Sequence, residues 1–174
     1  MKTTARRALL VIAITATIGC DRITKHIATS ALAGLPDRSY LSGIVRLQYA
    51  ENAGGFLGIG RDLPAEARTV IFTVATGLAL LLLLVFAIRQ RMSGWPLFGL
   101  SVFIGGGASN WADRVATGTV VDFMVIGLGP VRTGIFNVAD VAIMCGIGVL
   151  VVAECRRRRA LRRASWPTRG ASRA

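Results

Sequence analysis

Long uncharged apolar segments alternate with short polar stretches along this chain. Thr69 to Ile88 contains 20 residues without a charge, enough for a helix rising ~1.5 Å per residue to cross a ~30 Å hydrocarbon layer. Two further segments of similar length begin at Met92 and Ile135, and the run from Ala8 reaches spanning length only by including charged residues. The pattern predicts four transmembrane helices, at about residues 7–31, 69–88, 92–113 and 135–154.

The segment between the first two predicted helices, residues 34–68, has a different pattern. Every second residue from Val45 to Tyr49 is apolar, which is typical of a half-buried strand. A glycine-rich stretch at 51–60 follows, and glycine permits tight turns and close approach of the backbone to a bound molecule. This stretch is either a flexible loop or a substrate-facing loop, and its Asn52 favours the second interpretation.

Basic residues are distributed asymmetrically between the two sides of such a bundle. The chain of 174 residues is 53% hydrophobic and carries a formal net charge of +12. Thirteen of its 21 basic residues precede the first helix, join the second to the third or follow the fourth, and only Glu154 opposes them. This is the positive-inside pattern, so both termini are predicted to be cytoplasmic. The arginine-rich tail is explained as an anchor to anionic lipid headgroups, and no nucleic-acid partner is expected.

Together these patterns predict an all-α integral membrane protein, a four-transmembrane-helix bundle with a small extracytoplasmic cradle of strand and loop. A single membrane-embedded domain covers residues 1–155, with the cradle at 34–68, and residues 156–174 are expected to form a disordered basic cytoplasmic tail. The N-terminus also resembles a lipoprotein signal peptide ending at Cys20, but the polar stretch after that cysteine continues the helix. Three cysteines and one histidine predict neither a disulfide framework nor a metal site.

Two aspartates lie where so apolar a chain disfavours charge. Asp122 is inside a run of valines and other apolar residues, and Asp140 lies a few residues into the last hydrophobic segment, three after Asn137. A carboxylate at membrane depth costs about 2–3 kcal/mol on insertion scales, so ionisable residues kept there are candidates for function. If the loop before the fourth helix folds back, the two carboxyl groups meet near the outer face. They would then share one proton, the ionised member activating water and the protonated member polarising a carbonyl.

Further polar residues lie at the same outer ends of the predicted helices. Asp21 and Lys25 are spaced i,i+4 and share one helical face, which suits either an ordinary boundary ion pair or the support of a polar site. Asn110 and Arg114 follow the glycines of the third helix and are predicted to support the active site. Asp113, between them, is assigned a structural role in capping and salt bridging.

Taken in order, these motifs resemble the bacterial lipoprotein signal peptidases, or signal peptidase II. The resemblance covers nearly the whole chain, because four helices with cytoplasmic ends carry five short motifs in the family's order. These are Asp21 to Lys25, Glu51-Asn52-Ala53-Gly54, a glycine-rich segment ending in Asn110-x-x-Asp113-Arg114, Val120-Val121-Asp122-Phe123 and Phe136-Asn137-x-Ala139-Asp140. Each motif alone is weak, whereas five in order on a matching topology are specific.

The resemblance implies a membrane aspartic endopeptidase whose catalytic residues are Asp122 and Asp140. Seven other residues are expected to bind substrate or support this dyad, namely Asn52, Gly54, Asn110, Arg114, Asn137, Asp21 and Lys25. The implied substrate is a diacylglyceryl-modified prolipoprotein, cut just before its lipidated cysteine. No cofactor or metal is implied. The expected partners are prolipoproteins and membrane lipids, and the protein is expected to be a monomer in the bacterial cytoplasmic (inner) membrane with its active site near the outer face.

Three positions depart from the family's pattern. Ser109 stands where glycine is usual, Gly55 where alanine is common and Val141 where serine is frequent. The first two exchange one small residue for another and are expected to tune loop packing. The third is expected to remove one hydrogen bond near the site, and none of them changes the dyad.

Two other functions are alternatives to the peptidase. In a small proton-coupled transporter or other non-enzymatic membrane protein, intramembrane carboxylates relay ions. The polar residues here cluster near one face and form no path across the membrane, and no internal repeat is visible. Other intramembrane aspartyl proteases place one aspartate in a Gly-x-Gly-Asp setting, which this chain lacks.

Overall fold

The computed structural model describes residues 2–90, 92 and 94–164, which form helices and one small antiparallel sheet. The helices are α1 (Thr3–Leu32), α2 (Ala65–Arg68), α3 (Thr76–Arg89), α4 (Trp95–Thr117) and α5 (Val138–Ala164). The strands are β1 (Arg38–Tyr40), β2 (Val45–Asn52), β3 (Val120–Leu128) and β4 (Val131–Arg132). Short 3-10 turns occupy Leu41–Gly43 and Phe56–Gly58.

A wide π-helical turn, Thr69–Ala75, joins α2 to α3 in one continuous rod. Inside this turn the carbonyl of Thr73 accepts a hydrogen bond from the indole Nε1 of Trp111 on α4, at 2.9 Å. A side chain that enters the backbone ladder in this way is one recognised cause of helix irregularity. The turn therefore ties the start of this rod to the end of α4.

Two of the long helices are apolar enough, by composition, to cross a membrane. They are the rod from Ala65 to Arg89 and the helix from Val138 to Arg163. Helices α1 and α4 are also long, at 30 and 23 residues, but α1 carries charged side chains and α4 is rich in glycine and polar residues. The described part of the chain is thus mostly helical, with two clear candidate spans.

Helix α4 packs directly against α1 and α5 along glycine faces. A Cβ at Gly105 would lie 2.8 Å from Cβ of Thr17 on α1, and one at Gly106 would lie 2.5 Å from the carbonyl oxygen of Ala139 on α5. Small residues let helix backbones approach this closely in an apolar environment. The C-terminal parts of α1 and α4 and the start of α5, with their polar side chains, are therefore held next to one another.

The sheet has the order β1-β2-β3-β4, and every neighbouring pair is antiparallel. The register of β2 on β3 places Ala50 opposite Asp122 and Asn52 opposite Val120, with an irregularity after Leu47. Phe123 of β3 is buried against Ala28 and Leu32 at the end of α1. This packing anchors the sheet on the bundle and directs Asp122 towards the helix ends.

The structure corrects two sequence predictions. The loop expected at residues 115–134 contains the end of α4 and both β3 and β4, and the run of β-branched residues from Val120 was the signal for a strand. The disordered tail predicted for residues 156–174 is wrong for residues 156–164, which continue α5. Residues 165–174 lie outside the described part of the chain.

Candidate active site

All ten residues selected from the sequence lie in one connected hydrogen-bonded cluster. The cluster joins the C-terminal parts of α1 and α4 and the start of α5 to β2 and β3. Its members are Asp21, Lys25, Asn52, Gly54, Asn110, Asp113, Arg114, Asp122, Asn137 and Asp140. Asp122 is 1% exposed and Asp140 is 5% exposed, so their carboxyl groups lie in a medium of low polarity.

Asn137 and Asp140 form a reciprocal cap at the start of α5. The backbone N–H of Asp140 donates to Oδ1 of Asn137 at 3.0 Å, and the backbone N–H of Asn137 donates to Oδ2 of Asp140 at 3.2 Å. This arrangement satisfies two amide groups that the first turn of a helix leaves without partners. The sequence Asn-x-x-Asp thus holds the Asp140 carboxyl in one orientation.

The side-chain amide of Asn137 also reaches the second aspartate. Its Nδ2 donates to Oδ1 of Asp122 at 2.6 Å, and the other oxygen of Asp122 accepts a hydrogen bond from Nδ2 of Asn52 at 2.8 Å. Asn137 therefore contacts both carboxyl groups, Asp122 through its side chain and Asp140 through its backbone. Asn137 therefore links β3 to α5.

Asn110 completes the frame from α4. Its Nδ2 donates to Oδ1 of Asp140 at 2.9 Å, while its Oδ1 accepts from Nδ2 of Asn137 at 3.1 Å and from Nζ of Lys25 at 2.7 Å. With these bonds each of the four oxygens of Asp122 and Asp140 has one N–H donor. A carboxylate oxygen accepts more than one hydrogen bond, so each keeps capacity for water or substrate.

Lys25 is the cation at the base of the cluster. Its buried ammonium group contacts Oδ2 of Asp21 at 2.7 Å and Oδ2 of Asp113 at 2.6 Å, in addition to Asn110. Oδ1 of Asp21 accepts the backbone N–H of Ala139 at 2.8 Å, in the first turn of α5. The expected pairing of Asp21 with Lys25 is present, and hydrogen bonds connect it to the rest of the cluster.

Arg114 connects the helix end to the glycine-rich loop. Its guanidinium donates to the backbone carbonyls of Gly54 and Asn110 and lies 5.7 Å from the ring centre of Phe72. Gly54 donates its N–H to Oδ1 of Asn52 at 2.9 Å. A Cβ at Gly54 would lie 2.6 Å from the carbonyl oxygen of Ile59, so the loop closes tightly at a position where only glycine fits.

Burial favours the protonated form of the Asp122 carboxyl group. Burial disfavours the charged form and raises the pKa of the Asp122 carboxyl from 3.8 to about 6. The hydrogen bond from Asn52 opposes this rise, and the charge of Asp140 reinforces it. Within the described residues the cluster holds four carboxyl groups and two cations, and Arg22 adds a third cation through its ion pair with Asp113; the formal charges balance once one proton is bound.

No group of three or more His, Cys, Asp or Glu side chains in residues 2–90, 92 and 94–164 is arranged to hold a metal ion. The cluster presents the carboxyl groups of Asp122 and Asp140, the amides of three asparagines and nearby cations. A pair of buried carboxyl groups is suited to general acid–base activation of water.

Comparison with known proteins identifies the family. The family model for signal peptidase (SPase) II matches residues 13–156, which is most of the chain. The chain belongs to the signal peptidase II family. It is a peptidase of that family, and the resemblance inferred from the motifs is confirmed.

Curated members of the signal peptidase II family align over most of their length. The lipoprotein signal peptidase of Solibacter usitatus is 31% identical over 140 residues, covering 80% of this chain and 85% of the relative. That of Syntrophotalea carbinolica is 32% identical over 159 residues, covering 90% and 96%. The family match over residues 13–156 includes both aspartate motifs and the glycine-rich loop.

Two solved bacterial membrane enzymes, both determined by the in meso method, share the fold. One gives a TM-score of 0.72 at 22% identity, covering 95% of this chain and 93% of its own. The other gives 0.68 at 24% identity, covering 83% and 90%. These neighbours show the fold, and the family match together with the two apolar candidate spans supports a membrane protein.

The structure also adds residues to the site that the sequence did not select. Oγ of Ser109, noted only as a departure from the family, donates to Oδ2 of the buried Asp21 at 2.7 Å. Arg22 donates to the carboxylate of Asp113, and its position one residue after Asp21 was a signal that went unused. Phe72 had no signal, because nothing in an apolar run separates one phenylalanine from its neighbours. Val141, which stands where serine is frequent in the family, is 43% exposed.

Proposed function

We propose that this protein is a membrane aspartic endopeptidase that removes signal peptides from diacylglyceryl-modified prolipoproteins, cleaving just before the lipidated cysteine. Asp122 and Asp140 are the catalytic residues and act as one dyad. The observation that carries the proposal is the pair of contacts made by Asn137, which holds one buried carboxyl group by its side chain and the other by its backbone.

The dyad holds one proton between its members. The ionised carboxylate takes a proton from a water molecule, the hydroxide attacks the scissile carbonyl, and the protonated carboxyl donates a hydrogen bond to the carbonyl oxygen. A proton from the dyad then passes to the leaving amine as the peptide bond breaks. Because water attacks the carbonyl, no covalent intermediate with the enzyme forms. Four N–H donors from the three asparagines keep both carboxyl groups in place through this exchange.

Four helices span the membrane in this proposal: α1, the rod of α2 and α3, α4 and α5. Both termini lie in the cytoplasm because the basic residues cluster at that end. The polar faces of α1 and α4 turn inward to the buried cluster, which explains why these two helices are less apolar than the other two. The dyad then lies near the outer face of the bacterial inner membrane.

The site's depth suits a lipid-anchored substrate. Asp140 lies in the first turn of α5, within ~10 Å of the predicted outer surface. A diacylglyceryl cysteine keeps its acyl chains in the bilayer, so the peptide bond before it lies at the same depth. The loop at Gly54, with Arg114 beneath it, supports the signal peptide above the dyad, and the protein acts as a monomer without a cofactor.

Cleavage by charge-neutral variants of the dyad tests the proposal. Purified wild type, Asp122→Asn and Asp140→Asn are incubated in detergent with a diacylglyceryl prolipoprotein and with its unlipidated precursor, and products are followed by gel shift. Asp62→Asn is the matched control, because that side chain is 96% exposed. We expect wild type and the control to cut only the lipidated form, and both dyad variants to lose at least ~10²-fold activity. If a folded dyad variant cleaves at a near-normal rate, the mechanism is wrong.

A further inference from the structure

A crevice lies at the arginine-rich end of the bundle, far from the dyad. It has a volume of about 260 Å³ and opens between the first turns of α1 and α4 and the last turn of α3. Leu97 at its floor is thirteen residues before Asn110 on α4, a separation of ~20 Å along a helix. The crevice is therefore independent of the proposed catalytic chemistry.

The walls of the crevice are hydrocarbon. Leu10, Ala87 and Leu97 form its floor and are 7%, 1% and 0% exposed, whereas Val11 and Ile88 at its edge are 57% and 49% exposed. A buried apolar floor with an exposed apolar edge opens sideways, towards the space that lipid occupies around a membrane helix. The volume is roughly nine times the ~30 Å³ that one water molecule occupies in the liquid, which is enough for part of an acyl chain.

The mouth of the crevice carries positive charge without a neighbouring acid. Arg6 donates to the backbone carbonyls of Ile88 and Gln90 at the end of α3, which fixes its guanidinium across the mouth. Arg7 also lines the mouth, and its guanidinium makes no hydrogen bond or ion pair with any described residue. Glu154, the acid at this end of the bundle, is already bound by Arg157 and Arg158.

We propose that this crevice binds one anionic phospholipid of the leaflet at the arginine-rich end, with an acyl chain on the apolar floor and the phosphate at Arg7 and Arg6. The apolar walls account for the chain and the unopposed guanidinium groups account for the headgroup charge. Arg6 is already oriented by the α3 carbonyls, so its remaining N–H groups are preorganised for a phosphate oxygen. The site goes beyond the peptidase activity and contributes nothing to the dyad.

Lipid binding is measured by native mass spectrometry of the full chain in detergent. The probes are phosphatidylglycerol and phosphatidylcholine with identical acyl chains, and inorganic phosphate serves as competitor. We expect the wild type to bind phosphatidylglycerol at least about fivefold more tightly than phosphatidylcholine. A fivefold difference is the contribution of one arginine near an anionic surface. Arg7→Gln reduces this preference towards unity, while Arg156→Gln, an exposed arginine outside the crevice, leaves it unchanged.

A second pair of variants tests the acyl-chain part of the site. Val11→Trp fills the crevice and weakens binding of both lipids at least about fivefold, whereas Val74→Trp, on a lipid-exposed part of the rod, changes neither. The proposal is overturned if Arg7→Gln keeps the full preference, if Arg156→Gln removes it equally, or if Val11→Trp binds both lipids like the wild type. Displacement by inorganic phosphate alone would assign a free-phosphate site and also overturn it. Prolipoprotein cleavage stays within twofold in every variant, so failure here is distinguishable from failure of the peptidase.

Discussion

Replacing Asn137 with aspartate separates the two tasks of this side chain. Its Oδ1 caps α5 by accepting the N–H of Asp140, and its Nδ2 donates to Asp122 at 2.6 Å. Aspartate caps a helix as well as asparagine does, but it has no amide to donate. The variant therefore keeps the start of α5 in place and removes the contact that joins the two carboxyl groups.

The size of the effect follows from the contacts. A hydrogen bond to a charged group contributes about 1.5–3 kcal/mol, so losing the donor costs ~10- to ~150-fold in rate if the contact is retained in the transition state. The new carboxyl group also lies beside Asp122, and two like charges ~4 Å apart repel by about 4 kcal/mol at an effective dielectric constant of ~20. We expect at least a ~10²-fold loss of cleavage at pH 7.

The assay compares kcat/KM for prolipoprotein cleavage between pH 5 and pH 8 in wild type, Asn137→Asp and Asn137→Ser. Serine caps the helix but neither adds a charge nor supplies the amide, so its defect should be nearly independent of pH. The aspartate variant should recover partly below about pH 6, because its new carboxyl group becomes protonated and can donate to Asp122. Thermal unfolding should show that both variants remain folded, with the aspartate variant destabilised by up to about 4 kcal/mol at pH 7 and by less below about pH 6.

One result would refute this account of Asn137. If Asn137→Asp cleaves within threefold of wild type at pH 7 while remaining folded, the bridge between the two carboxyl groups plays no part in catalysis. Wild-type activity in both the serine and the aspartate variant would show that only the cap matters.

Three further predictions concern the same cluster. Because the raised pKa of Asp122 means that ionisation opposes folding, wild-type stability falls as pH rises from about 4 to about 6 and the cost then stays constant. Asp122→Asn removes this cost of about 3 kcal/mol but leaves one amide donor unpaired, so thermal unfolding at pH 8 should show a net gain of about 1–2 kcal/mol that shrinks at pH 5. Phe72→Leu removes the ring facing Arg114 and should raise KM about fivefold, whereas Phe72→Tyr keeps the ring and should behave like wild type in the same cleavage assay. Gly54→Ala forces a Cβ to 2.6 Å from the carbonyl oxygen of Ile59, so the loop must shift and cleavage should fall more than tenfold.

Local sequence was sufficient to select ten residues that the structure joins in one hydrogen-bonded cluster. A buried charge or amide is costly in an apolar chain, so the few that occur at helix ends stand out without any knowledge of the fold. Spacing also predicted local geometry correctly: Asp21 pairs with Lys25 one turn later on α1, and alternation of apolar residues predicted β2. These relations involve neighbours in the chain, which regular secondary structure alone brings together.

Prediction failed where two local signals were compatible with different structures. The segment around Asp122 has the β-branched residues of a strand and the glycines of a loop. It forms a strand because it pairs with β2, about seventy residues earlier in the chain. The arginines after Glu154 have the composition of a solvated tail, yet arginine is a good helix former and Glu154 pairs with Arg157 and Arg158 at i,i+3 and i,i+4. The helix therefore continues to Ala164.

The sequence by itself determined which side chains this protein keeps polar in an apolar setting, and hence its family and its candidate dyad. Only the tertiary structure decided how they meet. Glycines let α4 approach α1 and α5, and this close approach brings Asp21 to the first turn of α5 and Ser109 to Asp21. The bridge through Asn137 joins a strand to a helix, and the strength of such a contact depends on distances set by packing, which no local pattern encodes.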